Sequence, residues 1–267
     1  TYNAYDNYSN ALDRTVERYG GYDASTGAPT GLLDIKRITD AYSGSGDIRA
    51  EAHTSAIRTY DEDNNFIGAQ LITNSSYDDY DNVLTQTVER FKEDGLTTLL
   101  DSKAITNTYT AAGEHKTQIA VSTVLTYGNG SDFVEAEKIT YGGYDDYGND
   151  LSRVVERFAG ADLTGLIDKK VITNAYSDIG ENKGEAAVST IIAYDNNRDI
   201  ITGETQKITY AGYDYYSNAT NQTIERYSDA EATMLLDRKV IINTYSSSGE
   251  HKGRAATSTI LKYDETA

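Results

Sequence analysis

One motif constrains this chain more than anything else, because it occurs four times. Tyr5-Asp6-Asn7-Tyr8-Ser9-Asn10 returns at Tyr77-Asp78-Asp79-Tyr80-Asp81-Asn82, at Tyr144-Asp145-Asp146-Tyr147-Gly148-Asn149 and at Tyr213-Asp214-Tyr215-Tyr216-Ser217-Asn218, at spacings of 72, 67 and 69 residues. A chain built this way repeats one supersecondary unit, and stacked units bury a core that a single unit cannot. It also weighs against an enzyme, which usually needs one unique cluster of reactive groups. The repeats are read as residues 1–72, 73–139, 140–208 and 209–267, the last lacking its final strand.

Four blocks recur inside each unit. The first ends in Thr15-Val16-Glu17-Arg18, Thr87-Val88-Glu89-Arg90, Val154-Val155-Glu156-Arg157 and Thr223-Ile224-Glu225-Arg226. The second begins at Leu33, Leu100, Ile167 and Leu236. The third runs through Ser55, Ser122, Ser189 and Ser258 toward Tyr60, Tyr127, Tyr194 and Tyr263. The fourth is Gln70-Leu71-Ile72-Thr73, Glu137-Lys138-Ile139-Thr140 and Gln206-Lys207-Ile208-Thr209. Between the second and third blocks, Tyr42, Tyr109, Tyr176 and Tyr245 each precede a glycine by four residues, at Gly46, Gly113, Gly180 and Gly249. Asp, Asn and Gly tolerate left-handed backbone and bond locally to the chain, as tight reversals require. Blocks rich in Val, Ile, Thr and Tyr between such signals read as strands joined by hairpins.

Alternation agrees. Asp237, Lys239, Ile241, Asn243 and Tyr245 share one face of the second block, and the same pattern recurs in all four copies while the other face varies. The rival is a helix over residues 229–236, which the β-branched run after it opposes. Arg18 to Asp34 spans 16 residues, whereas Arg90 to Asp101, Arg157 to Asp168 and Arg226 to Asp237 each span 11. The extra residues lie in the stretch from Gly20 to Pro29, expected to be an exposed turn. Asn10, Asn82, Asn149 and Asn218 are expected in left-handed or other turn conformations. The expected fold is all-β: an elongated array of about four antiparallel four-strand repeats, a β-meander or solenoid-like chain.

Thr1-Tyr2 aligns with the residues just after the fourth block, and Tyr263-Asp264 comes before any further copy of it. Two expectations follow. Either the chain is a window on a longer array, or a terminal strand position is filled by a neighbouring molecule.

Net charge is -18, from 42 acidic against 24 basic residues. Such a surface repels nucleic acid and anionic lipid. No run approaches the about 20 apolar residues of a membrane helix. There is no Cys, which excludes disulfides and thiolate metal sites and is compatible with export.

The Tyr-Asp motifs resemble the YD-repeat (Rhs-type) family of exported bacterial proteins. The matching residues are Tyr60-Asp61 with Asn64, Tyr194-Asp195 with Asn197, and Tyr144 to Asn149. Successive marks at Tyr5, Tyr22, Tyr42, Tyr60 and Tyr77 lie 17 to 20 residues apart, similar to that family's unit. The resemblance implies long, twisted antiparallel sheet built from hairpins, on secreted or cell-surface bacterial proteins. The usual Gly-Arg-Leu after the Tyr-Asp is missing, and a toxin-enclosing shell is not the expectation.

Among chemical candidates, calcium is the most serious cofactor, with Asp61, Asp63, Asp145 and Asp146 as clustered hard oxygen ligands. No EF-hand loop surrounds them, and Asp and Asn also favour turns. His53, His115 and His251 form no ligand set. No nucleophile elbow or phosphate loop appears, so no catalytic residue is assigned. Glycosylation sequons stand at Asn7, Asn74, Asn129, Asn218 and Asn221, at differing places in the repeat. Glu17-Arg18 and Asp34-x-Lys36 are read as charges that pair across a hairpin. The recurrent Tyr are read as packing groups with a hydroxyl that reaches polar partners. The chain is thus expected to be a non-catalytic structural subunit or segment of an extracellular fibre, stalk or giant surface protein, with adjacent copies or continuing repeats as partners. The alternative is a carbohydrate-binding adhesin module that takes glycans on its Tyr and Asp surface.

Overall fold

The computed structural model describes residues 1–23, 25–42, 52–110, 117–177, 184–214, 217–245 and 255–264. The described residues form sixteen strands and no helix. Block one becomes β2 (Ala11–Tyr22), β6 (Val83–Phe91), β10 (Asp150–Phe158) and β14 (Ala219–Tyr227). Block two becomes β3 (Pro29–Tyr42), β7 (Leu99–Tyr109), β11 (Leu166–Tyr176) and β15 (Leu235–Tyr245). Block three becomes β4 (Ala52–Asp61), β8 (Ile119–Gly128), β12 (Ala186–Tyr194) and β16 (Ala255–Asp264). Block four becomes β1 (Tyr2–Tyr5), β5 (Phe66–Tyr77), β9 (Phe133–Tyr144) and β13 (Thr205–Tyr213). The all-β fold of repeated four-strand antiparallel units is therefore present.

Two compact units divide the chain, Thr1–Ala136 and Glu137–Ala267. The division falls inside β9, three residues before the boundary read between repeats at 139/140. In the first unit β1 to β8 pair in chain order, every pair antiparallel. In the second, β10 to β16 do the same. A meander of this kind needs only short reversals, and the chain supplies one after each block.

The register is sheared in the same sense in both units. One rung of the first runs Arg90–Gln70–Ile57–Ile38–Arg14. It starts at the block-one arginine of the second repeat and ends four residues before its counterpart, Arg18. In the second unit the rung Arg226–Gln206–Ile191–Ile172–Arg153 also ends four residues short, of Arg157. Four residues of slip across four strands is about 13 Å against about 19 Å, so the strands lean by about 35°, the tilt of strands in barrels.

Bulges recur at fixed places, which keeps that shear from accumulating error. After the paired Arg and Asp, each block-two strand passes over one residue: Leu33, Leu100, Ile167 and Leu236 have no partner opposite. The other end of block two does the same to block three, skipping His53, Ala120, Ala187 and Ala256. An extra residue bends its strand and increases local twist, so identical bulges give each repeat the same curvature.

Burial is sparse because each strand contacts mainly its chain neighbours. The buried apolar residues among those described are Tyr60, Ala69, Phe91, Ala136, Ala193 and Tyr227. Tyr60, Ala69, Phe91 and Tyr227 belong to small aromatic clusters. Tyr60 meets Phe66 edge to face at 6.0 Å, and Tyr127 meets Phe133 in the same way at 5.9 Å. Ala69 faces Phe91 across β5 and β6, and Thr205 faces Tyr227 across β13 and β14. A small residue opposite a ring leaves room for the ring to lie down on the sheet.

Three expectations need correction. The fourth block is longer than its Gln-Leu-Ile-Thr signature, so Tyr2–Tyr5 is the end of such a strand and pairs with β2. The block-four strands therefore number four, the first of them short. The left-handed residue of each Tyr-Asp turn is not the Asn but the residue before it: Ser9 at φ 69°, Asp81 at 64°, Gly148 at 82° and Ser217 at 62°. The Asn is kept for its side chain, as shown below. The first-repeat insertion is only partly a turn; it adds Gly20–Tyr22 and Pro29–Gly31 to the hairpin strands, where Tyr22 pairs with Pro29 and Gly21 with Thr30. Pro29 opens its strand, where a missing N–H is tolerated. The rival helix over 229–236 does not form, as the β-branched run after it implied: residues 229–234 are a loop, with the Asp229 carboxylate accepting from the backbone N–H groups of Thr233 and Met234. Gly46, Gly113, Gly180 and Gly249 lie outside the described residues.

Candidate functional site

The polar side chains that recur from repeat to repeat build three devices. The first is an ion pair across each block-one to block-two hairpin. Register sets Arg18 opposite Asp34, Arg90 opposite Asp101, Arg157 opposite Asp168 and Arg226 opposite Asp237. Each Arg Nε donates to its carboxylate, at 2.7, 2.8, 3.0 and 2.9 Å in that order, and each Nη2 bonds it too. The guanidinium hydrogen bonds hold Asp101, Asp168 and Asp237 below the usual carboxylate range. The arginines are substantially exposed, so each pair contributes about 0.2–1 kcal/mol. The charges read as a hairpin pair do meet, through Arg and Asp.

The second device is a tyrosine lock. Tyr42, Tyr109, Tyr176 and Tyr245 end the block-two strands, and each hydroxyl donates to the carbonyl of the residue that opens the preceding strand: Ala11, Val83, Asp150 and Ala219, at 3.2, 3.0, 3.1 and 2.9 Å. Tyr77 and Tyr213 do the same to Ala52 and Ala186 from block four. Asn107, Asn174 and Asn243 send a side-chain N–H to the same carbonyls as Tyr109, Tyr176 and Tyr245. The first repeat has Asp40 where these Asn stand. Its side chain, 1% exposed, pairs with Arg14 at 3.4 Å and accepts from the Ser55 hydroxyl. Burial pushes the Tyr144 and Tyr213 hydroxyls up to about 12.

The third device closes the Tyr-Asp turn. The Asp78 carboxylate accepts from the backbone N–H of Tyr80 and of Asn82 through Oδ1, and from the Asn82 amide through Oδ2 at 2.9 Å. Asp6 with Asn10 and Asp145 with Asn149 repeat all three bonds. Asp61 with Asn65 uses the same scheme in the turn between blocks three and four. Hydrogen bonds from the Asn65 amide hold Asp61 below the ordinary range. At Asp78 and Asp145 burial works the other way but is outweighed by the Asn and backbone donors.

That closure decides how the calcium candidates read. Asp61 and Asp145 turn both carboxylate oxygens toward their own loops, while Asp63 and Asp146 lie exposed beside them. Among the described residues no three His, Cys, Asp or Glu are grouped to hold a metal. His53 is an exposed bulge residue, and His115 and His251 lie outside the described residues. Of the sequons, Asn7 and Asn129 are exposed in turns and Asn221 is exposed on β14. Asn74 and Asn218 are engaged instead: Asn74 donates to the Ala52 carbonyl and accepts from Gln86, and Asn218 donates to Asp214. No long apolar helix able to cross a membrane occurs among the described residues.

Sequence reasoning missed a set of stacked tyrosine pairs at the ends of block four. Tyr2–Tyr5, Tyr141–Tyr144 and Tyr210–Tyr213 lie 6.0, 5.8 and 6.1 Å apart with interplanar angles of 25°, 20° and 21°. Their spacing of three residues conceals them, since a regular strand puts such residues on opposite faces. The register shifts of β1 and β13, between Tyr2 and Tyr5 and between Tyr210 and Tyr213, bring them together.

These devices define an all-β repeat protein whose recurrent polar groups bond strand to strand. No protein-family model matches the chain, and no curated protein matches it. Among solved structures it is similar to one described as the crystal structure of TcdB2-TccC3, at 9% identity and a TM-score of 0.13, over 99% of this chain and 18% of that one. The chain spans less than a fifth of that structure, and a likeness of this size carries no argument about fold or function.

Proposed function

We propose that the chain is a non-catalytic structural segment of an extracellular fibre, stalk or giant surface protein, its partners being adjacent or continuing repeats. One observation carries this reading. The same ion pair, tyrosine lock and turn closure recur along the chain, and the side chains that recur are the ones that tie each strand to its neighbour. A catalytic or signalling protein differentiates one place in the molecule, whereas here the same three devices serve repeat after repeat. The resemblance of the Tyr-Asp motifs to exported bacterial YD-repeat proteins supports a bacterial surface location. The test is electron microscopy of surface material from cells that make the protein, with antibody raised to this chain. Labelled fibres or stalks support the reading; label confined to the cell interior overturns it.

The stacked tyrosines favour one second reading, an adhesin. Aromatic faces held parallel and partly exposed suit the apolar faces of sugars. Tyr2 and Tyr5 are 63% and 56% exposed. A glycan array probed with the whole chain separates the two: saturable binding that falls with Tyr2→Ala and Tyr210→Ala supports an adhesin, and an array without signal removes it.

A further inference from the structure

Three turns of one backbone design lead from block three to block four, and one of them lacks its side-chain lock. In each, the first residue donates its N–H to the carbonyl of the fifth and accepts from the N–H of the fourth. The sets are Asp61 with Asn65 and Asn64, Gly128 with Asp132 and Ser131, and Asp195 with Asp199 and Arg198. The fourth residue is left-handed every time, at φ 64°, 62° and 68°. In two of the turns the leading Asp also gathers backbone N–H groups in its carboxylate. Asp61 accepts from Asp63 and Asn65 at 3.0 and 2.7 Å, and Asp195 from Asn197 and Asp199 at 2.9 Å each. Gly128 has no carboxylate to offer, so the Gly130 N–H is left without an acceptor among the described residues.

The residue before that N–H is Asn129, in the one Asn-Gly step of the sequence. Its side chain is exposed and makes no hydrogen bond among the described residues, and Gly130 is exposed beside it. An asparagine side chain is attacked by the next backbone nitrogen when that nitrogen can lose its proton and approach Cγ. A carboxylate holding the N–H opposes both. A glycine favours the approach, because its peptide rotates readily and no Cβ stands in the way. The equivalent turns fail on both counts. Asn64 precedes Asn65, whose N–H is held by Asp61, and Asn196 precedes Asn197, whose N–H is held by Asp195. Asp94-Gly95 is the same step with an aspartate, and its carboxylate is engaged by the Tyr60 hydroxyl and by Arg58, each at 3.0 Å.

We infer that Asn129 is a site of spontaneous, enzyme-free modification through a succinimide. Hydroxide or water takes the Gly130 N–H proton, and the nitrogen bonds to Asn129 Cγ. The Cγ–Nδ2 bond then breaks, and the amide nitrogen leaves with a proton as ammonia. Water opens the ring at either carbonyl, leaving aspartate or isoaspartate at position 129. Both products add a negative charge to the turn, and the isoaspartate also adds a methylene to its main chain. The turn Gly128–Asp132 is thus an ageing site between β8 and β9, and a long-lived copy of the protein accumulates the change. The inference is independent of the fibre reading. Asn129 also stands in a sequon, and a sugar on its amide nitrogen excludes this fate.

In the test, chain made without glycosylation is incubated in its folded state at mildly alkaline pH and mapped by peptide mass spectrometry. Asn129 should show the mass change of NH replaced by O ahead of Asn64 and Asn196, with isoaspartate detected at position 129. Gly128→Asp restores the missing carboxylate, and the backbone has room for it: a Cβ there meets nothing closer than the Asp132 carbonyl oxygen at 3.8 Å. This variant should slow the reaction at Asn129 about five- to ten-fold, the factor expected of one hydrogen bond that must break before the ring closes. In urea the two chains should react alike, since that bond exists only in the folded turn. An unchanged rate in folded Gly128→Asp, a slowing of the same size in urea, or reaction at Asn64 or Asn196 before Asn129 would each overturn the inference. So would a sugar found on Asn129 of the protein isolated from the cells that make it.

Discussion

The two ends of β6 close in different ways. At one end the turn from Asp78 to Asn82 is held by the Asp78 carboxylate, which bonds two backbone N–H groups and the Asn82 amide. At the other the loop from Lys92 to Thr98 is closed by a backbone bond between its ends, Lys92 N–H to Thr98 O at 3.0 Å, with Leu96 at φ 55°. The first kind of turn keeps one length, five residues from Asp6, Asp78, Asp145 or Asp214 to its Asn. The second kind keeps one length in the last three repeats but varies in composition, and in the first repeat it gives way to a longer hairpin. Where a side chain spans the reversal, adding a residue breaks its bonds. Where a backbone bond joins the ends of the loop and its side-chain bonds differ from repeat to repeat, Glu93 with Thr97 in one and Asp229 with Thr233 and Met234 in another, a longer hairpin can replace it, as in the first repeat. The variable ends are instead anchored by aromatic rings, Phe91 and Tyr227, beside the loops.

The largest expected effect is a loss of the fold in alkali, which tests both ends at once. Tyr144 and Tyr213 precede the five-residue turns, Tyr227 precedes a loop of the second kind, and burial is the main reason all three hydroxyls are pushed up to about 12. In the unfolded chain they ionise near about 10. The contribution of these neutral hydroxyls is complete below pH about 10 and is lost as pH rises toward about 12. Circular dichroism should hold its β signal to about pH 10 and lose it over the next two units. Tyrosines that all ionise near pH 10 with the β signal intact would refute this. On the acid side, Asp61, Asp101, Asp168 and Asp237 are held low by hydrogen bonds. Their contribution is present above the unfolded value of about 3.9 and is lost as pH falls below it.

Next in size is Phe91→Ala, at the loop end of β6. The ring is buried against the small Ala69, and its removal leaves a gap that a one-layer sheet fills only in part. A loss of about 3 kcal/mol in urea denaturation is expected. Asp78→Ala, at the opposite end of the same strand, should cost less, because its three bonds lie in a solvated turn where water can replace them. If Asp78→Ala proved the more damaging, the turns rather than the ring clusters would be holding the repeat.

Much of this was legible in the sequence, for reasons that differ from residue to residue. The face of Asp237, Lys239, Ile241, Asn243 and Tyr245 was readable because a strand alternates with period two, and every member of that face is partly covered. The Arg–Asp pairs were readable as charges at fixed distances from a reversal. The stacked tyrosines were not, because bulges change the period and leave no residue signature of their own. The left-handed residue of each turn was misplaced by one for a related reason. Asn is both a left-handed former and an amide donor, and here its amide is what the Asp uses.

The smallest effect concerns that same backbone region in the loops. Leu96, Leu163 and Ala232 occupy one equivalent position, at φ 55°, 61° and 54°. An L-residue held there costs about 1–2 kcal/mol, which glycine avoids, while glycine gives back about 0.5–1 kcal/mol in backbone entropy. Ala232→Gly should therefore stabilise the chain by about 0.5 kcal/mol. Leu163→Gly relieves the same strain but also gives up a half-buried side chain, worth about 1 kcal/mol, so it should come out near zero. Thermal denaturation of the two variants side by side reads the difference. Equal gains would mean that the Leu163 side chain contributes nothing to its loop. A loss at Ala232 would mean that the backbone there is not strained, and the contrast between the two kinds of reversal would then rest on their side-chain bonds and on the longer hairpin of the first repeat.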